Sequence, residues 1–198
     1  MKNKYGFVLT EALIAVGILG VGVVIMSAVV TNAISATKTS RDYLLAQNLT
    51  TEAVEAVKNI RDTNWLLRPN DKTCWLVINP VALRDPNANC ATQQSAQQNV
   101  NYVVNFNSGD WNMSQVMGSD LNLQNGASVN AGFLLYEQPG RTGVFYGNTV
   151  RPTPSRFYRS VKFTNVTASM AEFIVSVQWF DGAKKRKIDR VLTIQNYL

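Results

Sequence analysis

One acidic residue, Glu11, interrupts a long apolar stretch close to the start of this 198-residue chain. In the 19 residues from Ala12 to Val30 the only side chain with a polar group is that of Ser27. A helix of that length spans roughly 28 Å, which is close to the roughly 30 Å hydrocarbon core of a bilayer. An ionised carboxylate within such a span is costly unless it is paired, so Glu11 marks a candidate functional site.

Two simpler interpretations of this stretch are a secretory signal peptide and an ordinary N-terminal anchor. A signal peptide has a basic start, about 7–15 apolar residues and a cleavage site made of small residues. The apolar run here is longer, and its small residues are scattered through it. Neither interpretation explains the carboxylate of Glu11.

The sequence Gly6-Phe7-Val8-Leu9-Thr10-Glu11 follows a short head that contains Lys2 and Lys4. It resembles the processing site of type IV pilins and of the related pseudopilins of type II secretion systems. The resemblance implies that residues 1–6 are a leader peptide, that a prepilin peptidase cleaves after Gly6, and that the new N-terminal Phe7 is N-methylated. It also implies a single-pass protein of the bacterial inner membrane, with its head outside the cytoplasm, that later joins a pilus or a periplasmic pseudopilus.

The resemblance also implies a partner for Glu11. Cleavage creates a positively charged amine on Phe7, and in a fibre the Glu11 carboxylate of one subunit can lie beside the Phe7 amine of its neighbour. Such a pair is strongly attractive at low dielectric, although desolvation cancels much of the gain, so we expect it to set axial register. The implied partners are other pilin subunits, the prepilin peptidase and methyltransferase, the inner-membrane assembly platform, and membrane lipid before assembly.

Two further features favour a minor subunit over a major one. Many major pilins have a helix-breaking proline in the second half of the apolar segment, where this chain has Ala28. The segment AQNLTTEAVEAVKNIRDTNWL, which begins at Ala46, resembles the second helix half of minor pilins of the pilus modification protein type. A minor pseudopilin of a type II secretion system is the alternative. A membrane-tethered module that never polymerises is a third interpretation, against which the Phe7 and Glu11 pair argues.

The composition argues against catalysis. The chain contains no histidine, which removes the commonest general base and the commonest transition-metal ligand. It also lacks a phosphate-binding glycine loop and an HExxH motif. We therefore expect no enzyme activity, no catalytic residue, no metal and no cofactor.

Cys74 and Cys90 are the only cysteines, and their spacing is not that of a CxxC motif. In an exported head such a pair predicts one disulfide that closes a short loop. The alternative is two unpaired buried thiols.

Hydrophobic spacing predicts the helix that positions Glu11. Apolar residues recur at helical intervals well beyond Val30, at Leu45, Leu49, Ala53, Ala56 and Ile60. This predicts one helix from about Phe7 to about Arg61, ending near residues 62–64. Its transmembrane half is residues 7–34 and its amphipathic half is residues 35–62.

Residues 63–198 are predicted to form a globular head. Residues 66–99 are rich in Pro, Asn, Asp and Gln, which predicts a long irregular excursion. Strands are predicted at 101–106, 133–136, 144–146, 157–163, 173–179 and 188–197, with a turn at 139–140 and no clear period over 111–130. Asp181-Gly182 predicts an antiparallel hairpin. The predicted fold class is α+β, a long N-terminal helix packed on an antiparallel sheet, as in pilin-like proteins.

The C-terminal third is strongly basic, with ten basic and three acidic residues from Arg141 onward. Lys184, Lys185, Arg186 and Lys187 lie at or just past the predicted hairpin tip. The simplest explanation is a solvated sheet edge that resists unwanted strand pairing. The second is contact with an acidic region of a neighbouring subunit. DNA binding ranks last, because no DNA-binding motif is present and stacking aromatics are few.

Overall fold

A computed structural model describes residues 5–107, 109–116, 121, 123, 131–140, 143–147 and 154–196 of the protein. One long helix is followed by four short 3₁₀ helices and seven strands within these ranges. The chain divides into two compact units, Met1–Leu44 and Leu45–Leu198. The α+β layout predicted from the sequence is confirmed.

Helix α1 (Tyr5–Leu67) is longer than predicted at both ends. It contains no proline, and the first proline of the chain is Pro69. Proline disfavours helical geometry at the residue before it, here Arg68, so the helix ends at Leu67 rather than at residues 62–64.

The C-terminal part of α1 packs on the sheet through the predicted apolar stripe. Ala53, Ala56 and Ile60 are buried in one cluster with strand residues that include Phe163 and Val175. Ala46 and Leu49 are buried in a second cluster with Phe157, Val177 and Trp179. Burying this stripe supplies stability that helix propensity alone does not.

The strands are β1 (Asn101–Asn107), β2 (Asp110–Gln115), β3 (Leu134–Gly140), β4 (Gly143–Gly147), β5 (Pro154–Val166), β6 (Met170–Asp181) and β7 (Lys184–Gln195). All of their pairings are antiparallel. Strand β5 is central, because β6 pairs along one of its edges while β1 and β3 share the other. Strand β7 pairs with β6 alone among the described strands.

Several strand predictions differ from the structure, beginning with Phe133, which ends a 3₁₀ helix (Ala131–Phe133) instead of starting a strand. Strand β2 lies where no clear period was found, and it forms a hairpin with β1 across Gly109, whose φ is +91°. Strand β7 begins at Lys184 rather than at residue 188. The predicted turn at 139–140 lies inside β3, because Gly140 pairs with Gly143. Residues 141–142 and the predicted strand end at residue 197 lie outside the described residues.

The excursion between α1 and β1 is ordered by short 3₁₀ helices at Lys72–Cys74, Pro80–Arg84 and Cys90–Thr92. Within it, Val77 and Ser95 form an isolated antiparallel bridge. The carbonyl of Ile78 accepts the Met113 N–H at 2.8 Å, so this excursion covers part of the outer edge of β2.

Candidate functional site

The predicted cleavage junction between Gly6 and Phe7 lies within the first turn of α1, which begins at Tyr5. The N–H groups of a first helical turn have no partner within the helix.

Glu11 lies on α1 among exposed apolar side chains, and its own side chain is exposed. It is the only charged residue between Lys4 and Lys38. The large apolar side chains from Leu9 to Val30 are 57–73% exposed. Among the described residues, α1 is the one helix that is long and apolar enough to span a membrane.

Two hydroxyl groups in this part of α1 are satisfied within the helix itself. The Ser27 hydroxyl donates to the Val23 carbonyl at 2.9 Å, and the Thr31 hydroxyl donates to the Ser27 carbonyl at 2.9 Å. Such back-bonding lets a hydroxyl enter an apolar medium without an unpaired donor. The Glu11 carboxylate cannot form a bond of this kind, because a carboxylate cannot donate to a backbone carbonyl unless it is protonated.

Cys74 and Cys90 form a disulfide, as predicted, with their Cα atoms 5.1 Å apart. Both are buried with Val77 and Leu83, and Leu67 at the end of α1 packs against this cluster. The disulfide therefore fixes the irregular excursion next to the last turn of the helix.

Hydrogen bonds support the loop at both cysteines. The Asp71 carboxylate accepts the hydroxyl of Thr73 at 2.6 Å and the Thr73 N–H at 2.9 Å. Both bonds lower the pKa of the Asp71 carboxyl, and the bond from the Thr73 hydroxyl has the larger effect. The Asn89 side chain accepts the Ala91 N–H at 2.9 Å just before the second cysteine.

The end of α1 holds this loop through the buried amide of Asn64, and the guanidinium of Arg68 just past the helix adds to it. The buried Asn64 side chain donates to the carbonyls of Trp75 at 3.3 Å and Val77 at 2.9 Å. Arg68 donates to the carbonyls of Asp85 and Ala88. The helix end and the disulfide loop therefore form one connected structure.

The basic run occupies the first four positions of β7 rather than a loop. Alternation places Lys184 and Arg186 on one face of the strand and Lys185 and Lys187 on the other. Lys187 lies 2.7 Å from Asp189 and Arg186 lies 3.7 Å from Asp181, so at least these cations have carboxylate partners within the head. The positive charges of this run are therefore divided between two faces of the strand and are partly neutralised by carboxylates.

Arg159, which no sequence motif singles out, is the one charged side chain that is buried among the described residues of the head. It is 1% exposed. Its guanidinium donates to the Leu49 carbonyl at 3.2 Å, to Glu52 at 3.0 Å and to the Val104 carbonyl at 3.4 Å. A signal was present in the sequence, because the alternation of Phe157, Arg159 and Val161 directs the arginine inward.

Tyr102, at the start of β1, ties the end of the excursion to the sheet. Its hydroxyl oxygen accepts the Gln97 N–H at 2.9 Å. The ring packs edge-on against Phe163 with centroids 5.8 Å apart, in the core beneath α1. Burial in this core raises the pKa of the Tyr102 phenol, so the hydroxyl stays neutral and serves a structural purpose.

The predicted site residues belong to different units. Gly6, Phe7 and Glu11 lie in Met1–Leu44, whereas the disulfide and the basic run lie in Leu45–Leu198. Similarity to a characterised protein does not assign either unit to a family. Comparison of the chain with family models, curated proteins and solved structures returns no match.

Proposed function

We propose that the chain is a structural, minor subunit of a type IV pilus, processed by prepilin peptidase and assembled through its N-terminal helix. The observation that carries this proposal is the position of a single charge. Glu11 is the only charged residue between Lys4 and Lys38, and it would be the fifth residue of a chain cleaved after Gly6. Glutamate at that position is the hallmark of the family that the N-terminal sequence resembles.

The surroundings of Glu11 support this role. The apolar side chains around it are exposed in the isolated chain, so they require lipid or other helices as partners. At Gly17, Gly20 and Gly22 an added Cβ would meet nothing within 4 Å. No contact within the described chain requires glycine there, whereas a helix from another subunit could approach closely at these positions.

Each part of the chain then has a role in assembly. Residues 7–34 sit in the inner membrane before assembly and among neighbouring helices afterwards, where the Phe7 amine of one subunit neutralises Glu11 of the next. The amphipathic helix half carries the head, whose α+β layout of a helix on an antiparallel sheet suits a pilin-like subunit. The chain is a substrate for cleavage and methylation, and we assign it no catalytic residue and no cofactor.

The basic run at Lys184–Lys187 fits a protected sheet edge or a subunit contact better than DNA capture. Its charges are divided between two faces, and two of them are paired with Asp181 and Asp189. A strand that binds phosphates through four consecutive cations would need them on one surface. DNA binding therefore remains the least supported role.

The test is the intact mass and N-terminal sequence of the protein purified from its native membrane. We expect a chain that begins at N-methylated Phe7. A Gly6→Val variant should retain residues 1–6, whereas the matched control Gly17→Ala should be processed normally, because an added Cβ at Gly17 meets open space. A wild-type chain that retains Met1, or one cut near the end of the apolar run, would contradict the proposal.

The phenotype of a deletion strain distinguishes a pilus subunit from the alternative, a minor pseudopilin of a type II secretion system. Deletion of a pilus subunit should remove or shorten surface fibres while protein secretion continues. Loss of secreted enzymes with intact surface fibres would favour the minor pseudopilin.

A further inference from the structure

The sheet face opposite α1 carries a polar trough with a volume of about 260 Å³. Side chains alternate between the two faces of the sheet along β5 and β6, and apolar ones such as Phe163 and Val175 point towards α1. The intervening residues, including Ser160 and Ser176, therefore point to the other face and line the trough. All residues of this trough belong to the unit Leu45–Leu198.

The trough exists because one row of the sheet is made of short polar side chains. Ser160 in β5 is opposite Ser176 in β6, and Ser176 is opposite Asp189 in β7. Three strands about 4.8 Å apart give a row roughly 10 Å wide. The rows on either side carry longer side chains, namely Tyr158, Gln178 and Lys187 on one side and Lys162, Ile174 and Val191 on the other.

A buried amide holds one wall in place. Gln178 is 1% exposed. Its amide donates to the Leu121 carbonyl at 2.8 Å and accepts the Leu123 N–H at 3.2 Å. Leu121 lines the trough, so this wall is fixed before any ligand arrives.

The floor and one end are rich in groups that bond hydroxyls. The Asp189 carboxylate accepts the Ser176 hydroxyl at 2.6 Å and the Lys187 ammonium at 2.7 Å. Ser160 is only 3% exposed, although it lies on a sheet face where an apolar residue would be cheaper to bury.

The other end is shaped by Asn99, which lines the trough with a φ of +61°. Asparagine tolerates this left-handed backbone better than most residues. The Asn99 N–H donates to the Phe163 carbonyl at 2.7 Å, which turns the chain into β1 beside β5.

We propose that this trough binds one neutral sugar ring of a glycan. Adjacent sugar hydroxyls bond the Asp189–Lys187 pair, one donating to the carboxylate and the other accepting from the ammonium. Ser160 bonds a further hydroxyl, while Leu121 and Ile174 contact the carbon face of the ring. Serine and asparagine side chains donate and accept, which matches hydroxyls better than phosphate.

Several observations favour a neutral ligand over an anion. The Asp189 carboxylate lies within the trough and would repel a second carboxylate, and Lys187 is already paired with it. Lys162 also lines the trough, so acidic ligands belong in the test. The volume is below the range typical of drug-sized ligand sites and suits a single ring. This proposal does not depend on assembly into a fibre.

The experiment uses the full chain in a zwitterionic detergent that carries no sugar headgroup. Saturation-transfer NMR is recorded with methyl glucoside, methyl galactoside and methyl mannoside, and with glucuronate and inorganic phosphate as charged probes. We expect transfer to at least one neutral sugar. Asp189→Asn and Ser160→Leu should each weaken binding about tenfold or more, the first by removing an acceptor and the second by filling the trough.

The matched control is Asp181→Asn, because Asp181 lies on the same hairpin but pairs with Arg186 and does not line the trough. It should bind as the wild type does. Thermal unfolding of each variant separates lost binding from lost folding, and Asp189→Asn preserves side-chain shape if Ser160→Leu fails to fold. The proposal is overturned if no neutral sugar shows transfer, if only glucuronate or phosphate does, or if Asp189→Asn binds as tightly as Asp181→Asn.

Discussion

Arg159 shows how one side chain can connect three elements of the head. From β5 it donates to a carbonyl of α1, to the α1 carboxylate of Glu52 and to a carbonyl of β1. The planar guanidinium presents several donors in fixed directions, which suits contacts to separate elements at once. A buried ion pair adds little over an apolar pair of equal volume, but it fixes one arrangement of its partners.

Replacing Arg159 tests this role at the residue scale. Arg159→Met should lower the free energy of unfolding by about 3 kcal/mol, because two buried carbonyls and Glu52 lose their donor. This is the lower end of the range for broken buried pairs, since the Glu52 side chain is 33% exposed and can be hydrated. Urea unfolding of the full chain in micelles measures the change.

Arg156→Met is the matched control, because Arg156 lies on the same strand and is exposed. It should change stability by less than about 0.5 kcal/mol. Equal effects of the two substitutions would show that Arg159 does not anchor the helix.

Of the three outer strands of the described sheet, β2, β4 and β7, two protect their edges in different ways. The excursion covers part of the edge of β2 through the bond between Met113 and Ile78. Strand β7 instead pairs with β6 alone among the described strands, and it carries four cations at its start. Charged side chains on an edge strand oppose pairing with another chain, which accounts for a run of cations at the start of β7.

The disulfide loop provides the prediction at the scale of elements. Cys74 and Cys90 are 16 residues apart, and closing a loop of that size is worth about 3 kcal/mol. The double variant Cys74→Ala/Cys90→Ala should lose about that much stability, measured by urea unfolding of the full chain. A reductant should destabilise the wild type similarly and leave the double variant unchanged. Equal midpoints for wild type and variant would refute a stabilising role.

Charge is distributed unevenly over the whole chain. From Asp42 to Glu137 there are five basic and nine acidic residues, and from Arg141 onward there are ten basic and three acidic. Charges are much sparser in the unit Met1–Leu44 than in these two segments, because Glu11 is its only charged residue between Lys4 and Lys38. The helix of that unit is long and apolar enough to span a membrane, whereas the unit Leu45–Leu198 has a buried core of its own.

The proposed assembly is tested at this scale by Glu11→Ala. We expect membrane insertion to persist, because the apolar run becomes longer, while assembly fails, because the Phe7 amine of a neighbour loses its counter-charge. An uncompensated buried charge typically costs about 3–5 kcal/mol. Immunoblots of sheared fibres and of membranes measure the two outcomes separately.

Glu55→Ala is the matched control, because it removes a carboxylate from the exposed face of the same helix, where it pairs with Lys58 at 2.9 Å. It should leave fibre incorporation unchanged. Normal incorporation of the Glu11→Ala protein would rule out the proposed charge pair.

Local pattern in the sequence determined much of the architecture. Helical spacing of apolar residues defined α1, period-two alternation defined β5 and β6, and the two cysteines had no partner but each other. These signals depend on neighbouring residues, so they can be read without the fold. The same holds for the N-terminal motif around Glu11, which lies within six consecutive residues.

Only the tertiary structure decided which distant segments meet. Local sequence patterns did not predict the contact of Arg159 with Glu52 or the bond from Ile78 to the edge of β2. They also did not predict that Ser160, Ser176 and Asp189 align in one row. Such contacts join residues that are tens of positions apart, and their register is set by how the apolar faces of helix and sheet pack together. That is why the candidate assembly segment could be predicted from the sequence, whereas the polar trough could not.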